Sequence, residues 1–156
     1  MISIRIDVDL EPFLKQMESL KAASQNLQPV MERASTMMLE SAQRNFNAES
    51  ARTPKAGHVA PSGFWADLKE STKKQRAAEG TWPGKKLQRT GRLLASLEKS
   101  ATNSAAQIGT NVRYGKHLQY GTVKMAARPF LALQKEDAEI IMRTVQEHFE
   151  KNLKSS

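Results

Sequence analysis

The 156-residue chain has no cysteine. That excludes disulfides, thiolate zinc sites and cysteine nucleophiles, and leaves the redox compartment open. No apolar run approaches the ~20 residues that cross a bilayer. The first residues, Met1-Ile2-Ser3-Ile4-Arg5-Ile6-Asp7, lack the basic region and apolar stretch of a secretory signal. The chain is therefore expected to be soluble, away from membranes, and to stay in the cytoplasm where it is made. Histidines are few and scattered, at His58, His117 and His148, with no HExxH or paired spacing, so no metal is expected. Ser62-Gly63 is not part of a GxSxG nucleophile elbow. Gly80 to Lys86 lacks the GxxxxGK[ST] spacing of a phosphate loop, and Pro83 removes an amide donor. Acids are scarce in the middle of the chain. Asp67, Glu70 and Glu79 lie among Lys69, Lys73, Lys74 and Arg76, which fits ion pairing on a solvated helix better than a metal cluster. His117 beside Lys116, with Arg113 and Arg128, is the best catalytic candidate, and a structural histidine is the stronger reading. No enzyme activity, cofactor or small-molecule substrate is expected.

What is abundant is positive charge, and it is unevenly placed. Residues 1–50 hold 5 Lys/Arg against 7 Asp/Glu, residues 51–130 hold 15 against 4, and residues 131–156 hold 4 against 5. The whole basic excess, +11, sits in the middle. Such a field describes association and solubility: either a solvated face or a surface that meets nucleic acid or an acidic protein.

Hydrophobic periodicity gives the expected elements. Ile2, Ile4, Ile6 and Val8 alternate with polar residues, a half-buried strand. Leu10, Phe13, Leu14, Met17 and Leu20 predict a helix over 11–23. Pro29 opens the strongest helix, with Val30, Ala34, Met37, Met38, Ala42 and Phe46 on one face. A Met-rich stripe is either core or an adaptable surface, and core is favoured. Residues 48–63 and 79–86 read as flexible loops, separated by a short basic helix over 66–78. Thr90 is the expected N-cap of a short helix carrying Leu93, Leu94 and Leu97. Residues 98–102 and 105–110 predict a hairpin, with which the N-terminal strand can pair. A short helix within 112–120 stops at Gly121, and a last helix over 134–153 presents Ala138, Ile141, Val145, Phe149 and Leu153. The expected fold is α+β in a single domain over 1–156: a small antiparallel sheet packed against two long helices plus a C-terminal helix, with long basic loops.

Trp65 is read as pinning a loop to the core, because Leu68 follows at i+3. Trp82, between Gly80 and Pro83, is equally an interface residue or loop packing. Trp and Arg together favour binding hot spots or stacking on nucleobases.

An ordered series of short blocks resembles the virion morphogenesis (tail-completion) family of Mu-like phages and prophages. The blocks are Phe46 at a helix end; Trp65-Ala66-Asp67-Leu68-Lys69-Glu70-Ser71-Thr72; Leu87-Gln88-Arg89-Thr90-Gly91-Arg92-Leu93; Ile108-Gly109-Thr110-Asn111-Val112-Arg113-Tyr114-Gly115; His117-Leu118-Gln119-Tyr120-Gly121; and Ala127-Arg128-Pro129-Phe130-Leu131. The departures are a longer 48–63 loop and Leu118 between His117 and Gln119. The resemblance implies a non-enzymatic assembly protein that completes the tail or joins it to the head, as part of a homo-oligomeric ring. Its implied partners are copies of itself, other tail or neck proteins and packaged DNA. Its implied location is the host cytoplasm and then the virion. A small basic nucleic-acid-binding protein is the alternative. Candidate interface or DNA-facing residues are Trp65, Lys73, Lys74, Arg76, Trp82, Lys85, Lys86, Arg89, Arg92, Arg113, His117 and Arg128. Gly91, Leu93, Gly109, Tyr114, Gly121, Pro129 and Phe130 carry the structural motifs, with Gly109 and Gly121 expected in tight turns and Phe130 buried.

Overall fold

A computed structural model describes residues 2–7, 26–50 and 64–154. The helix predicted over 11–23 and most of the loop predicted over 48–63 lie outside these residues. Three strands, β1 (Ile2–Asp7), β2 (Leu97–Ala101) and β3 (Ala105–Thr110), form an antiparallel sheet in the order β1-β3-β2. The hairpin and its pairing with the N-terminal strand follow the sequence pattern. Ile108 of β3 lies opposite Ile4 on one side and Lys99 on the other. As the central strand, β3 is buried almost throughout, with Ala105, Ala106, Ile108, Gly109 and Thr110 all enclosed. Gly109 is therefore a strand residue and not a turn. A Cβ there would lie 2.8 Å from the Ile2 carbonyl oxygen and 2.9 Å from Ser3 Cβ, so glycine is required by the close approach of β1.

Helix α1 (Gln28–Ala48) packs across β2 and β3 and against α5 (Lys135–Lys154). Pro29 sits in the first turn of α1, where its missing N–H costs nothing. The Gln28 amide donates instead to Asn103 Oδ1 at 3.0 Å, so the turn of the β2–β3 hairpin caps the helix. Of the predicted stripe, Val30, Ala34, Met38, Ala42 and Phe46 are enclosed and Met37 is partly buried, and Met31, Ser35, Ser41 and Asn45 join them. From α5, Ile141, Val145 and Phe149 enter the same core at i, i+4 and i+8. Each such side chain contributes about 1.5–3 kcal/mol by leaving water. Among the described residues the fold is α+β, as expected.

Three short helices complete the described structure: α2 (Glu70–Ala78), α3 (Arg92–Ala95) and α4 (Gly115–Tyr120). α2 is shorter than predicted: residues 65–69 carry no regular structure, and Ala66 and Asp67 present their carbonyls to a buried arginine. α3 is one turn, capped by Gly91 in the left-handed region at φ 73° rather than by Thr90. The Thr90 hydroxyl only accepts a long 3.4 Å bond from the Arg92 amide, and Leu97 already belongs to β2. Gly121 ends α4 at φ 74°, and a Cβ there would meet the Ala127 nitrogen at 2.7 Å.

Candidate functional site

Residues 127–134 carry no regular secondary structure before α5, yet Ala127 to Ala132 are buried. Buried backbone without a ladder must find other partners. Here side chains supply them. Gln119 Oε1 accepts both the Phe130 and Leu131 amides at 3.0 Å, and its Nε2 donates to the Leu131 carbonyl at 3.3 Å. Asn45, fully enclosed in α1, donates through Nδ2 to the carbonyls of Phe130 (3.2 Å) and Ala132 (2.8 Å). Its Oδ1 accepts from Gln134 Nε2 at 2.6 Å. Trp65 Nε1 donates to the Pro129 carbonyl at 3.0 Å while its ring meets Phe46 edge-on at 5.9 Å. Phe130, 0% exposed, closes the stack on Phe46 with ring centroids 5.4 Å apart.

Arg128 lies within this brace. Its Nε donates to the Ala66 carbonyl and a terminal nitrogen to the Asp67 carbonyl, both at 2.8 Å. Burial pulls the guanidinium below its ordinary pKa, and the nearby Asp67 charge opposes that. Asp67 is held below the usual carboxylate range first by its bond to Lys73, then by the Leu68 amide. Lys73 is raised by its bonds to Asp67 and Glu70, both 2.8 Å away.

A second arginine is enclosed one helix away. Arg76 of α2 is 2% exposed and donates to the carbonyls of Thr81 (3.2 Å), Lys85 (3.0 Å) and Lys86 (3.4 Å). The segment 79–86, expected as a flexible loop, wraps around this guanidinium. Trp82 is half-buried and lies against its own chain, with the Arg76 guanidinium 5.6 Å and Lys73 Nζ 5.8 Å from its ring centroid. The Glu49 carboxylate accepts the Lys86 amide, and Lys85 Nζ donates to the Asn47 carbonyl.

Of the candidate contact residues, then, Trp65, Arg76 and Arg128 are interior and bonded within the chain, and Lys73 and Trp82 are partly covered. Lys74, Lys85, Arg89, Arg92, Arg113 and His117 are exposed, and Lys86 is half-exposed. Arg89 pairs with Glu79, whereas Arg92 makes no ion pair among the described residues. Lys86, Arg89 and Arg92 rim an open groove of about 470 Å³ between the 86–93 segment and α4. Leu87, Leu93 and Leu118 form its floor, and Tyr114, 43% exposed, stands at its edge. Tyr120 at the end of α4 (67%) and Val123 just past it (103%) are open to solvent, close in sequence to exposed Lys116 and Lys124. Sequence reasoning missed Asn45, Gln119 and Gln134. Asn45 carried a partial signal: a polar residue at i+3 from Ala42 on the buried stripe, which it shares with Ser35 and Ser41.

No group of three or more His, Cys, Asp or Glu side chains able to hold a metal occurs among the described residues, and none of their helices is long and apolar enough to cross a membrane. The motif residues brace the interior, and the unpaired charge faces outward.

A family model described as the phage virion morphogenesis family matches residues 8–150, and the chain belongs to that family. It is also 49% identical over 80 residues to a curated protein called Mu-like prophage FluMu G protein 1, from Haemophilus influenzae. That match covers 49% of this chain and 54% of the relative, so the chain spans about half the length of the curated relative it matches. No solved structure matches. The protein has a structural or assembly role in phage virion morphogenesis.

Proposed function

We propose that the protein completes the phage tail, or makes it competent to join the filled head, as one subunit of a ring at the head-proximal end of the tail. The observation that carries this reading is the division of the family's motifs. The Trp65, Gln119 and Arg128 blocks close the interior, while the block from Leu87 to Leu93 lines an open, basic groove. A subunit of an assembly needs a braced body and a surface held ready for a neighbour. A ring further requires two different surfaces on each copy, because one patch must meet another on the next subunit. The role needs no catalysis. The chain is made in the host cytoplasm, assembles there with copies of itself and with other tail or neck proteins, and stays in the virion.

Electron microscopy of an induced lysate lacking the gene tests the reading. The expected result is DNA-filled heads lying apart from unjoined or abnormally long tails. Infectious particles in normal number would overturn it.

A second reading, a small basic nucleic-acid-binding protein, draws on exposed Tyr114 and Tyr120 beside exposed Arg113, Lys116 and Lys124. Phosphate contacts make DNA affinity fall steeply with salt. Absent or salt-insensitive binding of the full chain to duplex and single-stranded oligonucleotides would dismiss this reading.

A further inference from the structure

The groove and the outer face of α5 are complementary in kind. The groove offers a cationic rim, Lys86, Arg89 and Arg92, over an apolar floor of Leu87, Leu93 and Leu118. Duplex DNA would satisfy the rim and leave the floor unused, since its outer surface is phosphate and sugar. α5 offers both features. Glu136, Glu139, Glu147 and Glu150 are exposed along its outward side, with Arg143 among them, Glu139 paired to Lys135, and Glu147 beside a groove that also carries Arg33 and Lys151. Ile140, 38% exposed, stands at the flank of that acidic ridge. Glu136, Ile140 and Glu147 follow at i, i+4 and i+11, so an apolar knob lies between carboxylates on one edge of the helix. Ile141, Val145 and Phe149 fix the helix orientation by packing inward, so this edge cannot turn into the core.

We infer that the groove lined by Arg92 and Leu118 receives the acidic outer edge of α5 from a second copy of the chain, with Ile140 over the leucine floor and Glu136 and Glu147 against the cationic rim. The inference rests on the ring reading above and says which two surfaces make the ring. The contact is head-to-tail: each copy gives its groove to one neighbour and its α5 to the other. Arg92 is the principal cation, because Arg89 already holds Glu79.

The absence of native cysteine makes a clean test available. Thr90 lines the groove and Ile140 marks the ridge. A chain carrying Thr90→Cys and Ile140→Cys, treated with a short bis-maleimide, is expected to give a ladder of dimers, trimers and higher species. Each single variant alone is expected to give none, and the two mixed to give dimers only. A control pair, Thr90→Cys with Ser104→Cys on the exposed β2–β3 turn, should give no ladder. Arg92→Glu should abolish the ladder, and Glu147→Arg in the same chain should restore it. Self-linking by Thr90→Cys alone would mean a symmetric contact and overturn the proposal, as would no linking at all. Mass photometry of the same sample separates the two failures: rings without linking sink this pairing and keep the ring, whereas monomers throughout sink both. Protection of Thr90→Cys from labelling by duplex DNA, with no ladder, would make nucleic acid the occupant and overturn the proposal.

Discussion

Arg128 and Arg92 carry the same guanidinium and both lie in the basic middle of the sequence. In the fold they are opposites. Arg128 is 5% exposed and donates to two backbone carbonyls of the irregular 65–69 stretch, so it serves as a brace between that stretch and the 127–134 segment. Arg92 is exposed on a one-turn helix and makes no ion pair among the described residues. The difference comes from neighbours. Arg128 is followed by Pro129, which fixes an extended chain, and by Phe130, whose burial carries the segment inward. Arg92 follows Gly91 in the left-handed region and opens a turn whose only buried side chain is Leu93. A count of basic residues therefore overstates the contact surface of this protein, because Arg76 and Arg128 are part of its interior.

The comparison can be broken by substitution. The largest effect is expected at Phe130. Phe130→Ala should cost about 3–5 kcal/mol, read as a fall in the urea midpoint with an unchanged slope, since an enclosed ring leaves a cavity beside Phe46. A loss under 1 kcal/mol would mean that the 127–134 segment is not anchored through this ring. Next, Arg128→Met should destabilise by about 2–3 kcal/mol, because two carbonyls bonded to a charged donor are left without it. By contrast, Arg92→Glu should shift stability by no more than about 0.5 kcal/mol, as exposed substitutions do, while abolishing assembly. If both arginine variants unfold alike, the division between brace and contact surface fails.

The smallest effect belongs to the Asp67–Lys73 pair, whose carboxylate is exposed and screened. Asp67 has a lowered pKa, so its contribution is fully present above its ordinary value of 3.8 and is lost as pH falls through the lower folded value. Lys73 has a raised pKa, so its contribution is fully present below 10.5 and is lost as pH rises through the higher folded value. Denaturation midpoints of wild type and Asp67→Asn should therefore differ by a constant amount near neutrality and converge only in strong acid or strong base. A difference that changes between pH 5 and 9 would contradict the pairing.

Much of this fold was readable in the chain. The stripe ending at Phe46, the Ile2 and Ile4 alternation of β1 and the Ile141, Val145 and Phe149 face of α5 each follow a single period imposed by burial, and the structure keeps them, while the side chains of Ile6, Val8 and Leu153 lie outside what is described. The bracing was less readable. Arg76 gives no periodic signal, because its partners are carbonyls of a loop that has no pattern of its own. Gln119 and Asn45 act through amides that satisfy backbone groups far away in sequence, and spacing rules report only near neighbours. Gly109 was legible as a residue under constraint but not as a strand residue, since the clash that excludes a side chain comes from β1, about a hundred positions earlier. The outward placement of Arg92 depended on Gly91 rather than Thr90 starting the turn, a choice made by one dihedral angle.

The Gln119 side chain has a kinetic consequence. A single oxygen receives the amides of both Phe130 and Leu131, while the same side chain's nitrogen holds the Leu131 carbonyl. One rotation about χ angles on α4 would release all three backbone groups together, and no strand ladder stands behind them to hold two when one lets go. Hydrogen exchange at these two neighbouring amides is therefore expected to be correlated, because both lose their acceptor in the same opening event.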